Sequence, residues 1–311
     1  MISFDKLKII SSIENVQIMD ETFFTERMQD GKLHDVSVTL LHPYHLYIEV
    51  DYVEQELVLE FTGKLLEDDY PRLICLDTIK QCLENINTLG FCLLDVEAIL
   101  HDGEVCKADV TKDVEHPDCK ALTNEIRANI QNFNKYLPRV IAGNFVVDKN
   151  VKTRGYQKRL TLYDKSAELQ RVENKAFLDV LDDRQKMLDY FDGRVRFEMN
   201  LNTKEQIRRN LHISDTSLMS VLRSDANPIL EYLLEILIPE QEEKPLTDYK
   251  EYQTYLILQD NGFDLANVQA KLRQLKPNGG RKRDMAPFVA LKQKLNLSSK
   301  SLRSKLAEML S

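Results

Sequence analysis

Six segments of this chain alternate apolar and polar residues with period two, and past residue 203 none does. They cover residues 36–40, 45–50, 56–61, 105–114, 159–165 and 194–201. Successive side chains of a strand point to opposite faces of its sheet, so each segment predicts a strand with one buried and one polar face. Sheets that keep one polar face are characteristically antiparallel. A further strand is expected at 91–96 and an extended stretch over 139–147. Helical spacing marks residues 77–87, with Ile79, Cys82, Leu83 and Ile86 on one side. A second helix is expected over 121–136 and a long polar one over 173–191. From 203 onward the pattern is helical throughout, over 203–211, 215–223, 228–238, 247–260, 264–275, 285–295 and 298–310. The stretch 239–245, charged and bracketed by Pro239 and Pro245, reads as a linker. The expectation is an α+β fold of antiparallel sheets backed by helices, followed by a small all-helical C-terminal domain. Its divisions are an N-terminal region 1–104, a region 105–240 that shares the sheet, and a helical domain 246–311.

Charge along the chain narrows the partner. The net charge of −8 speaks against nucleic acid, but its distribution does not. Residues 1–118 hold 9 Lys and Arg against 25 Asp and Glu, while 120–175 hold 12 against 5 and 271–311 hold 11 against 2. Two basic blocks follow an acidic one, as phosphate binding requires. No apolar run approaches bilayer thickness, and residues 1–6 lack the order of a signal peptide. The five cysteines are odd in number and none is in CxxC spacing, which predicts reduced thiols in a cytoplasmic protein and no zinc site.

The polar faces of the three late strands carry the chemistry. Strand 105–114 is expected to show Lys107, Asp109, Thr111 and Asp113 opposite Cys106, Ala108, Val110 and Val114. Strand 159–165 shows Arg159, Thr161, Tyr163 and Lys165, and strand 194–201 shows Arg194, Arg196, Glu198 and Asn200. In one sheet, these bring carboxylates, a phenol and several cations to a single face. Carboxylates suit a hard divalent cation such as Mg²⁺, which polarises a phosphate. A tyrosine can attack phosphorus and hold it covalently, provided that neighbouring cations favour its phenolate. A solvated sheet face with no chemistry is the plain alternative.

Four stretches resemble, in order, a known family: Glu60-Phe-Thr-Gly-Lys-Leu-Leu with Asp69-Tyr-Pro-Arg-Leu, Lys107-Ala-Asp-Val-Thr-Lys-Asp-Val, Leu160-Thr-Leu-Tyr-Asp-Lys-Ser-Ala-Glu-Leu, and Arg194-Val-Arg-Phe-Glu-Met-Asn-Leu. Over roughly residues 1–240 the chain is similar to rolling-circle replication initiators of the filamentous-phage gene II/X type, and to related plasmid initiators and relaxases. The resemblance implies a replication-initiator nuclease-like fold in a phage, plasmid or integrated element. It implies an endonuclease that nicks one strand at an origin, keeps the 5′ end on tyrosine and later rejoins it. Tyr163 falls at the nucleophile, with Lys165 assisting at the phosphate. Asp109 and Glu198 fall at metal ligands for Mg²⁺ or Mn²⁺, with Asp113 a weaker third. Tyr156, in a basic loop, is the competing nucleophile. The His-hydrophobe-His strand of the better-known branch is absent, and His42 and His45 flank Pro43 in a bend.

Arg154, Lys158, Arg159 and Arg196 are expected to contact DNA, as are Arg281, Lys282 and Arg283 of the loop before the last two helices. Those helices, capped at Ser298 or Ser299, resemble a helix-turn-helix reader; a dimerisation element is the alternative. Single-stranded or origin DNA is the expected partner, with a host helicase and a second copy of the chain as further candidates, and no membrane. Two other functions stay open: a DNA-binding replication protein without catalysis, and a metal-dependent nuclease that uses water and forms no covalent intermediate.

Overall fold

The computed structural model describes residues 2–132, 134–238, 246–276, 279–295 and 299–311. The expected linker 239–245 and the capping Ser298 lie outside the described residues, as do the side chains of Arg154 and Ser299. The strands are β1 (Phe4–Ser12), β2 (Val16–Ile18), β3 (Thr25–Gln29), β4 (Lys32–Leu40), β5 (Leu46–Asp51), β6 (Glu56–Thr62), β7 (Cys92–Leu94), β8 (Glu104–Glu115), β9 (Tyr136–Ile141), β10 (Asn144–Lys149), β11 (Arg159–Asp164) and β12 (Arg194–Leu201). The chain is α+β and forms two compact units, each discontinuous in sequence: residues 1–113 with 164–228, and residues 114–163 with 229–311.

In the first unit the strand order is β3-β4-β5-β6-β1-β8-β12, with β2 and β7 paired in a small sheet of their own. β1 lies antiparallel between β6 and β8. One face is apolar and fully buried at Leu7, Ile9, Leu57, Leu59, Val105, Phe197 and Met199. The helix Ile79–Thr88 buries the expected Ile79, Cys82, Leu83 and Ile86. At about 2 kcal/mol for each fully buried aliphatic side chain, such residues dominate the stability of the unit.

The opposite face is not open to water along its length. A second apolar cluster, built from Tyr70, Leu73, Leu169, Phe177, Leu178, Met187 and Phe191, lies on that side, with Tyr70 against Arg196 of β12. The expected long helix over 173–191 is two helices, Lys175–Val180 and Arg184–Phe191. The break has a local cause. Asp183 accepts a hydrogen bond from the amide of Lys186, and the Asp68 carboxylate accepts from the amides of Asp182 and Asp183 at 3.0 and 3.1 Å.

The second unit holds the strands β11-β10-β9 in that order and most of the late helices. The helix expected over 121–136 covers only Cys119–Ala128, because residues 129–131 exchange backbone hydrogen bonds with residues 236–238. The stretch expected as one extended segment over 139–147 contains a hairpin that turns at Ala142 and Gly143, with φ of +49° and +82°. Two positive φ values match the right-handed strand twist of a two-residue hairpin. The helices Tyr249–Asp260, Leu265–Leu275 and Lys282–Lys294 share a core of Leu258, Leu265, Val268, Met285, Phe288 and Leu291. The last helix, Ser299–Leu310, buries Leu302, Leu306 and Leu310.

Candidate active site

Asp5, Asp109, Glu198 and Asn200 form the polar centre of the first unit. Asp109 comes from β8, and Glu198 and Asn200 from β12. Asn200 Nδ2 donates to Asp109 Oδ1 at 2.7 Å and to Glu198 Oε1 at 3.2 Å, so one amide tethers both carboxylates. Burial pushes the Asp109 carboxyl above its usual range, and the nearby Asp5 adds to this against the Asn200 hydrogen bond. Burial likewise raises Glu198, with Asp109 and Asp5 reinforcing it. Both groups thus resist ionisation in the absence of a counter-charge.

Asp5 reaches this face through a β-bulge. Phe4 faces Val110 and Lys6 faces Asp109, leaving Asp5 as the extra residue. Its Oδ1 accepts hydrogen bonds from the Tyr70 hydroxyl at 2.7 Å and from Arg196 Nη1 at 2.6 Å. Burial opposes ionisation of Asp5, but Arg196, Lys165, Tyr70 and Lys64 together hold it below its usual value. A second bulge, at Cys106, turns Val105 into the core and leaves Cys106 half-buried, which corrects the face expected for it.

The environment changes the parts assigned to Arg196, Asp113 and Lys165. Arg196 is fully buried, and its Nε and Nη2 grip Asp113 bidentately at 2.7 Å each, while Nη1 serves Asp5 and Tyr70. An enclosed guanidinium offers no face to a phosphate, so this is a structural clamp in place of the expected DNA contact. Asp113 is committed to the same clamp in place of the expected third-ligand position. Lys165 is not on the strand. Asp164 ends β11 and caps the helix Lys165–Leu169 by accepting from the amide of Ala167. The Lys165 side chain is 2% exposed, its Nζ bonded to Glu168 at 2.5 Å and 5.1 Å from the centre of the Tyr70 ring. Lys64 Nζ donates to Asn174, whose amide donates to Glu168. Toward β6, Glu60 pairs with Lys6 and has Lys8 at 3.9 Å and Lys107 at 4.0 Å.

The remaining expected residues belong to the second unit. Tyr163 is half-buried on the polar face of β11, opposite the fully buried Leu160 and Leu162. Tyr156 ends a single turn, Arg154–Tyr156, and is 48% exposed. Part of the basic block there is neutralised internally. Lys149, Lys158 and Lys135 surround Glu235 at 2.7, 3.5 and 3.6 Å, and Arg159 and Arg139 share Asp148. Arg281, Lys282 and Arg283 are exposed at the start of the helix Lys282–Lys294, while Lys292 turns inward and donates to the carbonyls of Ala128 and Phe263.

A His-acid cluster also occurs on β4 and β5, where ligand atoms of His34, Asp35 and Asp51 lie within 4.8 Å of one another. Arg27 already pairs with Asp35 there at 2.6 Å, which supplies the counter-charge. Asp109, Glu198 and Asp5 are oxygen donors of the kind that hard divalent cations prefer, and the raised carboxyls of the first two mark negative charge without sufficient compensation.

A stability consequence follows from the raised pair. Folded values near 6 for Asp109 and 7 for Glu198 exceed unfolded values of about 4. Their contribution is therefore complete below about pH 4 and is lost as pH rises through 6 to 7. Without divalent cations, Asp109→Asn is expected to gain on the order of 2 kcal/mol relative to the parent between pH 5 and pH 8. Urea denaturation at both values measures this; a difference that stays constant with pH would contradict it.

Among the described residues no helix is long and apolar enough to cross a membrane. No protein-family model matches the chain, and neither does any curated protein. Among solved structures, the chain is similar to a rolling-circle replication initiator protein from Geobacillus stearothermophilus, at 11% sequence identity and a TM-score of 0.34 over 80% of this chain and 89% of that one.

Proposed function

We propose that this chain initiates rolling-circle replication as an origin-specific single-strand DNA endonuclease and strand transferase, with Tyr163 as nucleophile and Asp109, Glu198 and Asp5 holding Mg²⁺ or Mn²⁺. The observation that carries the reading is the half-buried Asp109–Glu198 pair tethered by one amide of Asn200. A bound divalent cation would supply Lewis-acid polarisation of a phosphodiester oxygen. Asn200 fixes the two carboxylates in advance of binding, and the Arg196 clamp holds Asp5 ionised beside them. The lysines about Glu60 attract the DNA backbone. In the transfer itself the Tyr163 oxygen bonds to phosphorus, the bond to the 3′ oxygen breaks, and that oxygen leaves as a 3′-hydroxyl after taking up a proton. The phenol loses its own proton, and attack by a 3′-hydroxyl on the phosphotyrosine reverses the sequence.

The test is incubation of the protein with labelled single-stranded origin-region DNA and Mg²⁺ or Mn²⁺, resolved on denaturing gels. A covalent protein–DNA adduct that is lost with EDTA and in Asp109→Asn is expected. Cleavage without an adduct would replace this reading with a hydrolytic nuclease, and DNA binding with neither would replace it with a non-catalytic replication protein. Because cation binding must displace protons from the pair, the melting temperature should rise more with Mn²⁺ at pH 8 than at pH 6. A shift of equal size at both values, or in Asp109→Asn, would remove the carboxylates as ligands.

A further inference from the structure

Two adjoining cavities in the second unit, of about 330 and 220 Å³, share Asn134 in their walls. Arg273, Lys276 and Arg281 line the larger one, together with the backbone of Gly279 and Gly280. Gly279 and Gly280 run too close to the helix Leu265–Leu275 for side chains. A Cβ on Gly279 would stand 2.1 Å from the Leu272 carbonyl oxygen, and Gly280 has a φ of +73° with Gln269 2.8 Å from where its Cβ would be. The backbone is thus bare at the cavity, and the thirteen-residue helix Lys282–Lys294 starts at its edge with its amides leading. Lys276 Nζ lies 3.8 Å from Asp284 Oδ1.

The smaller cavity has a different character. Met285, Ala286, Val289 and Ala290 give it one apolar wall from a single helix, and Gln131, Asn132, Gln269 and Gln293 give it amides. The flip of three of these amides is set by neighbours. Gln131 Nε2 donates to the Glu235 carbonyl and Gln269 Nε2 to the Gly280 carbonyl, both at 2.7 Å. Asn132 Oδ1 accepts from the amides of Asn134 and Lys135. Acceptor oxygens on Gln131 and Gln269 and a donor nitrogen on Asn132 remain as the further polar functions of those side chains. A flat apolar wall with fixed acceptors and donors suits the edge and face of a nucleobase.

We infer that the two cavities form one nucleotide subsite for single-stranded DNA, with a base in the amide-lined cavity and its phosphate between Arg273, Lys276 and Arg281. This rests on the proposed action on single-stranded DNA and adds the residues that would grip the strand outside the nicking centre. Ala286 and Ala290 are exposed, so Leu at either position fills the base cavity without entering the core. The measurement is fluorescence anisotropy of the full-length protein with a labelled eight-nucleotide strand and with a fully abasic strand of equal length. Ala286→Leu is expected to weaken the intact strand about tenfold and leave the abasic strand unchanged, since base stacking contributes about 1–3 kcal/mol per base. Arg273→Ala with Lys276→Ala is expected to weaken both strands and flatten their salt dependence. Equal weakening of both strands by Ala286→Leu, or of neither, would overturn the base cavity. Competition by a free mononucleotide as tight as the intact strand would reassign the subsite to a small ligand and overturn its place on DNA. Adduct formation at saturating DNA is scored separately: its absence from the parent protein would sink the nicking mechanism while leaving this binding comparison readable.

Discussion

Replacing Tyr163 by Phe is expected to abolish the proposed covalent protein–DNA adduct, with any residual signal at least about a thousandfold lower, because the ring then lacks the oxygen that would bond to phosphorus. The change is conservative for the fold. Phe keeps the ring on the polar face of β11, and the neighbouring Leu160 and Leu162 stay fully buried on the other face. Melting temperature should therefore stay within a few degrees of the parent, which separates a chemical loss from a folding one. Tyr156→Phe is the informative companion. That residue is half-exposed at the end of a short turn, where an aromatic can stack on a base. It should lower DNA affinity modestly and leave the adduct at saturating DNA intact. Loss of the adduct in Tyr156→Phe alone would keep the reaction and move its nucleophile; loss in neither variant would sink the phosphotyrosine mechanism.

Arg196→Met should be the most destabilising single substitution in the first unit, by about 3–5 kcal/mol, because it strands charges that were buried with a partner. Asp113 would lose both arms of a bidentate contact, and Asp5 and the Tyr70 hydroxyl would lose a shared donor. Acid should narrow the deficit. In the parent, Asp5 has a depressed pKa, so its contribution is present above its unfolded value near 4 and is lost as pH falls below it. The variant has less to lose there, and its stability should approach that of the parent at low pH. Urea denaturation at about pH 2.5 and at pH 7 measures both effects. A deficit under about 1 kcal/mol at neutral pH would mean that the clamp breaks even against an apolar replacement, as some buried ion networks do.

Most of the strands were legible in the sequence because alternation is a local property. Residues two apart share a face wherever a strand is regular, so Asp109 and Glu198 could be assigned to the polar side from spacing alone. β1 was not legible for the same reason. Its bulge separates the buried Phe4 and Leu7 by three residues, which breaks the period of two that marks a strand, so Asp5 was missed. A single extra residue hid a carboxylate that lies at the centre of the polar cluster. The Asp-x-x-Lys spacing of Asp5 and Lys8 offered no signal strong enough to recover it.

The late helices were also legible, since Phe288, Leu291 and Leu295, and then Leu302, Leu306 and Leu310, recur at intervals of three or four residues. What lay beyond the sequence was which polar groups face water. Arg196 and Lys165 look like cations for a phosphate until Tyr70, Phe177 and Phe191 close over that side of the sheet. Sequence alternation states the side of a strand on which a residue lies, and by itself it determined the α+β class and the polar face. Burial of that face depends on segments distant in the chain, such as residues 63–72 and 165–191, so only the tertiary structure decided which charges are clamps and which remain for a ligand.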